Sequence, residues 1–204
     1  MTKSFSCIVA FAVSSLAGFA APQSYDFKDP KGVNNVVFKL DAPLESINGT
    51  ANGISGSVQF DPQSPKDLKG KIVVAGSTLH VGNPTMKEHL HSDKWMDVKQ
   101  FPEITFETTG IDKVVSAENS TVAQVTGNLT IKGKTKSITA PLKITYLPGK
   151  LKARFPMMEG DLLVLRSNFK IKRSDFGINS GAFEDKVSDE IDLSFSLAGM
   201  SPKK

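Results

Sequence analysis

Cysteine is all but missing from this chain: of 204 residues only Cys7 is one, and it sits inside an apolar N-terminal run. Lys3 gives that run a short positive start, residues 5–17 form its apolar centre, and Gly18-Phe19-Ala20 supplies a small-x-small signal. The pattern is that of a cleaved export signal. We expect a leader over residues 1–20 and an exported mature domain over 21–204. The mature chain then has no cysteine, which excludes disulfides, thiol catalysis, cysteine-bound metal and a lipidated N-terminal cysteine.

Other absences narrow the function further. No later stretch is apolar enough to span a bilayer as a helix. Beyond the leader, 24 Lys and Arg face 21 Asp and Glu, and no basic run exceeds Lys203-Lys204. Such interspersed charge excludes a nucleic-acid footprint. There is no Gly-x-Ser-x-Gly for a hydrolase, and Asp189-Glu190 reads as a solvated carboxylate pair at a strand entrance. Histidine occurs three times, at His80, His89 and His91. His89 and His91 are two apart on an expected helix and so point to different faces. We expect no metal, no cofactor and no enzyme.

What the chain has in abundance is alternation. Residues 127–144 carry Leu129 and Ile131, then Ile138, Ala140, Leu142 and Ile144 on one side, with Thr130, Lys132, Thr139 and Lys143 on the other. Period two on both sides of Lys132-Gly133 reads as a β-hairpin with one apolar face. Similar runs are expected as strands over 33–40, 71–79, 103–109, 121–131, 137–146, 162–172 and 190–197. Residues 44–60, with glycines at 49, 53 and 56, read as a curved or bulged strand. One helix is expected over 84–94, capped by Asn83 with Pro84 at its first position. About eight strands and one short helix predict an all-β, single antiparallel barrel, the size that closes on packed side chains or on one small ligand. Met86, Trp95, Met96 and Phe101 cluster around the helix and Phe155-Pro156-Met157-Met158 forms an apolar loop. Soft side chains of this kind fill gaps or soften a cavity mouth.

Several blocks resemble a known family. They are Gly127-Asn128-Leu129-Thr130-Ile131-Lys132-Gly133-Lys134-Thr135-Lys136; Glu88-His89-Leu90 with Trp95-Met96-Asp97-Val98 and Phe101-Pro102-Glu103-Ile104-Thr105-Phe106; Arg173-Ser174-Asp175-Phe176-Gly177-Ile178; and Val187-Ser188-Asp189-Glu190-Ile191. In order and spacing they are similar to the YceI-like family, bacterial polyisoprenoid-binding proteins with a lipocalin-like barrel. The resemblance implies an exported, periplasmic, cofactor-free barrel holding a long isoprenoid, polyprenyl or quinone, or a fatty amphiphile, for transport, storage or stress protection. As walls of an apolar tunnel we expect Phe106, Leu129, Ile131, Leu142, Ile144, Phe169 and Phe195, with Leu90 and Trp95. For a polar head group we expect Lys87, His89 and Arg173, a strand-end structural role remaining open for Arg173. Transient membrane contact and a homodimer stay open as partners. The alternative is a structural or interaction barrel filled by its own side chains.

Overall fold

The structure, a computed structural model, describes residues 22–203; the leader expected at 1–20 lies outside the described residues. The first strands are β1 (Gln23–Asp26), β2 (Asn35–Asp41), β3 (Ser46–Ala51), β4 (Ile54–Phe60), β5 (Lys69–Ala75) and β6 (His80–Val81). Helix α1 (Pro84–His91) leads to β7 (Glu103–Ala117), β8 (Ser120–Ile131) and β9 (Lys134–Leu147). A single turn, α2 (Leu151–Arg154), precedes β10 (Gly160–Lys172) and β11 (Glu190–Pro202).

The strands pair in the order β1-β4-β5-β7-β8-β9-β10-β11, and β11 returns to β1, so eight antiparallel strands close a barrel. Three positions of the ring are strands broken in two. One half of β11 pairs with β1 and the other with β2, while β3 pairs with β2 and β6 rather than with β5. The glycine-rich stretch read as one bulged strand is therefore β3 and β4, divided at Asn52-Gly53. β7 is longer than its expected 103–109. Register shifts between Thr108 and Gly110 and between Asp112 and Val115 destroy the period-two pattern without ending the strand.

Asn34 helps close the ring where the chain swings from β1 to β2. Its amide donates to the carbonyls of Phe27 and Ala198, both at 3.1 Å, and its Oδ1 accepts the Ala198 N–H at 2.8 Å. It acts there as a ladder partner to β11. The same crossover is held by the buried carboxylate of Asp29, which accepts the N–H groups of Lys31, Val33 and Asn34 and pairs with Arg154 at 2.8 Å. Burial alone would raise its pKa, but the three N–H donors and Arg154 outweigh burial and hold it below the usual carboxylate value. A depressed pKa gives stability that is complete above about pH 5 and fades as pH falls through the folded value. We expect Asp29→Asn to cost on the order of 2 kcal/mol at pH 7 and to flatten the acid side of a melting-temperature profile. A variant whose acid limb matches that of the parent would refute this role.

The helix begins as expected: the Asn83 side chain accepts the Met86 N–H at 3.0 Å, with Pro84 following. It stops at His91 rather than 94. Ser92 turns extended, and both its N–H and its hydroxyl bond the His89 carbonyl, so the last turn closes on itself.

The central hairpin is β8 and β9, joined by Lys132-Gly133 with φ values of 48° and 72°. This two-residue turn matches the twist of the strands it joins. A side chain at Gly133 would meet the Phe101 ring at 2.6 Å, and one at Gly127 would meet the Phe106 ring at 2.3 Å. The two glycines thus seat aromatic rings against the hairpin.

The barrel interior divides along its axis. At one end Tyr25, Phe27, Phe60, Ile144, Leu151 and Leu163 are fully or almost fully buried and pack solidly against their neighbours. Towards the other end stand Phe38, Leu79, Met96, Leu129, Ile171 and Phe176, in a second cluster beneath α1.

Candidate functional site

Inward-facing side chains leave a cavity of about 680 Å³. Its floor lies at mid-barrel, at Val58, Leu68, Val125, Ala140 and Leu165, just above the solid end. Its walls run up through Ile72, Phe106, Leu129 and Phe195 to a mouth between α1, the segment after it, the β2–β3 turn and the loop over residues 177–189. Below the mouth the only polar side chains in the lining are Thr108 and Ser167. Ser167 is already engaged, its hydroxyl donating to the Pro141 carbonyl at 2.5 Å. Pro141 carries no N–H, and β9 pairs with β10 only at 143–147.

Phe106, Leu129, Ile131, Leu142, Phe169 and Phe195 all line this space, as do Leu90 and Trp95. Phe169 and Phe195 meet edge to face at 6.4 Å. Ile144 does not line it. It is on the inner face of β9, as its alternation requires, but belongs to the solid end. The loop of Phe155, Pro156, Met157 and Met158 is also away from the cavity, next to α2, with Met157 96% exposed.

The head-group residues separate in the same way. Met86, His89 and Leu90 line the mouth, being three and four apart on one face of α1. Lys87 follows Met86 by one residue, points off that face and lies outside the lining. His89 keeps its place, while His91 turns inward and bonds the Leu79 carbonyl at 2.8 Å.

Arg173 departs furthest from a head-group role and takes the structural one. It touches the cavity, but it is fully buried. Its guanidinium donates to the carbonyls of Ser188 (3.2 Å), Ile178 (3.0 Å), Asn179, Ala182 (2.6 Å) and Val187 (3.2 Å). A guanidinium has five N–H groups, and all five are occupied. No donor is left for a ligand, so Arg173 is the pin that holds the 177–189 loop over the mouth. Asp189 shares this task, accepting the N–H and hydroxyl of Ser174 at 2.9 and 2.8 Å. It is not one of a solvated pair; Glu190 alone faces outward, paired with Lys170.

Strand residues that were not expected in the site, among them Ile72, Val125, Ala140 and Leu165, also line the cavity, and at the mouth the unexpected residues are in loops: Glu45, Lys94, Asn179, Phe183 and Lys186. Phe183 is 61% exposed and has φ of 57°, a rare backbone state for a bulky residue. The Leu44 N–H donates to the Asp185 carbonyl at 2.9 Å and ties its loop to the β2–β3 turn. Loops have no periodicity to read, and the nearest clue was the pair of blocks at 173–178 and 187–191, which meet here. Among the described residues, no group of three His, Cys, Asp or Glu side chains is placed to hold a metal ion.

Known proteins share this architecture. A family model described as a YceI-like domain matches residues 29–198. A UPF0312 protein of Yersinia enterocolitica is 30% identical over 161 residues, covering 77% of this chain and 75% of its own. Burkholderia cenocepacia BcnA has the same fold at a TM-score of 0.67 and 23% identity, over 81% of this chain and 95% of that one. A polyisoprenoid binding domain from Saccharophagus degradans matches at 0.63 and 12% identity, over 89% and 99%. A Campylobacter jejuni YceI protein matches at 0.59 and 26% identity, over 76% and 84%.

Proposed function

This chain belongs to the YceI-like family, and we propose that it is an exported carrier that holds one long isoprenoid chain, of polyprenyl or quinone type, inside its barrel. One observation carries the reading: a cavity of about 680 Å³, apolar from mid-barrel upward, whose charged residues all stand at the mouth. The Saccharophagus degradans domain of the same fold, described as polyisoprenoid binding, supports the choice of ligand. Volume sets its length. At roughly 30 Å³ per non-hydrogen atom, the share of a water molecule in the liquid, such a cavity takes about 20 chain atoms, or about four prenyl units.

Burying about 20 carbons at about 0.8 kcal/mol each gives about 16 kcal/mol. Association costs about 4 to 15 kcal/mol of that, so a chain much shorter than the cavity would bind poorly and a matched one usefully. A self-filled structural barrel accounts for the solid end but leaves the hollow half unexplained. Catalysis on the lipid finds no support below the mouth, where Ser167 is engaged and Thr108 stands alone. Export rests on the leader, and the N-terminus of the secreted protein should begin just after Ala20.

Trp95 is the only tryptophan of the chain and borders the cavity, so its fluorescence reports occupancy. We expect saturable quenching or a blue shift with geranylgeraniol, with half-saturation near 1 µM or below, about −8 kcal/mol, and much weaker response to a five-carbon prenol. Equal responses to both chain lengths would contradict a carrier for long chains.

A further inference from the structure

The charge around the cavity is unbalanced. Its lining includes Lys94, Lys186, Arg173 and His89, against a single acidic residue, Glu45. All are at the mouth: His89 on α1, Lys94 on the segment after it, Arg173 just after β10, Lys186 on the 177–189 loop and Glu45 on the β2–β3 turn. None of the ion pairs among the described residues involves Lys94, Lys186, Arg173 or Glu45. Arg173 has its donors saturated by neutral carbonyls, so it offers no hydrogen bond yet its positive charge is not cancelled by a carboxylate. It lies 5.9 Å from the Trp95 ring centre, directly under the rim. Lys94 and Lys186 come to the opening from two different segments, and Asn179 borders it with them. Glu88, Asp93, Glu184 and Asp185 belong to the same segments but are outside the lining, so the positive bias belongs to the inner side of the rim.

From this arrangement, and resting on the lipid-carrier reading above, we propose that the mouth is a binding site for an anionic head group, a phosphate or carboxylate at the end of the enclosed hydrocarbon. The chain fills the apolar shaft and stops near Trp95. There its charged end meets two ammonium groups, three donors each, and the field of the buried Arg173 adds to theirs. Charge-assisted hydrogen bonds are roughly twice as strong as neutral ones. A neutral alcohol or quinone head gains nothing comparable, and a cationic head is repelled.

The test compares geranylgeranyl monophosphate, geranylgeraniol and geranylgeranylamine, three heads on one chain, by Trp95 fluorescence at low salt, with inorganic phosphate as a separate arm. The phosphate should bind about tenfold more tightly than the alcohol, the gain expected from one charged hydrogen bond, and the amine most weakly. The double variant Lys94→Gln with Lys186→Gln should bring the phosphate-to-alcohol ratio close to one. Glu45→Gln should raise that ratio, an opposite sign that loss of folding cannot imitate. Equal affinity for phosphate and alcohol, or tighter binding of the amine, overturns the head-group assignment while leaving the carrier standing. Displacement of the phosphate lipid by inorganic phosphate alone would reassign the rim to free anions. Failure of all three chains to bind overturns both readings.

Discussion

Replacing Ala140 by tryptophan is expected to abolish uptake of a 20-carbon prenyl chain and to leave the barrel folded. Ala140 is buried on the inner face of β9, opposite Val125, and borders the cavity near its floor. An indole placed there adds about nine atoms to a space that holds about 20. It displaces roughly half of the chain, on the order of 7 kcal/mol of apolar burial, so affinity should fall at least a hundredfold. Overpacking a filled core costs about 1 to 3 kcal/mol, but here the new ring enters open space, and the melting temperature should move by no more than a few degrees. The contrast is Ile144→Ala, at the solid end. It should lose about 2 to 5 kcal/mol of stability while the cavity still takes up the chain. If A140W bound the chain like the parent, the proposed shaft would not be where the ligand sits.

Replacing Arg173 by methionine should be the most destabilising single change in the mouth. The substitution keeps most of the buried volume but leaves five carbonyls of residues 178–188 without their donor. A buried polar group left unsatisfied costs about 1 to 3 kcal/mol. Two effects reduce the sum: some carbonyls recover water when the loop loosens, and a buried cation no longer has to be desolvated. A net loss of about 3 to 4 kcal/mol follows, or roughly 10 °C in melting temperature for a domain of this size. Hydrogen exchange should rise selectively over 177–189. Lysine should not rescue the loop, because one ammonium has three donors and cannot span five carbonyls. A variant within about 1 kcal/mol of the parent would show that the loop is held by other contacts.

Much of the barrel was legible because alternation is a direct record of inside and outside. It placed Leu129, Ile131, Leu142 and Phe195 on the inner face, and each lines the cavity. Alternation does not record height along the barrel, which is why Ile144 was read as wall when it is part of the solid end. That height is set by strand register, and register depends on pairings between residues far apart in sequence, such as Thr121 with Ile144. Strand ends were blurred where bulges reset the period, as in β7. The mouth was the least legible part. Lys94, Lys186 and Glu45 come from three loops without periodicity, and only the fold brings them together. Arg173 was visible as a motif residue, but a charged residue in a sequence carries no mark of whether carbonyls or a ligand will take its protons. The 177–189 loop, rich in left-handed residues at Gly177, Asn179, Gly181 and Phe183, decides that question.

Whether the hollow half of the barrel holds a long isoprenoid chain is decided by native mass spectrometry of the protein purified from its own source. We expect a one-to-one adduct whose mass is that of an isoprenoid lipid, lost in Ala140→Trp and restored in the parent protein by added geranylgeranyl lipid. A protein that carries no lipid and takes up none when a prenyl chain is supplied would contradict it.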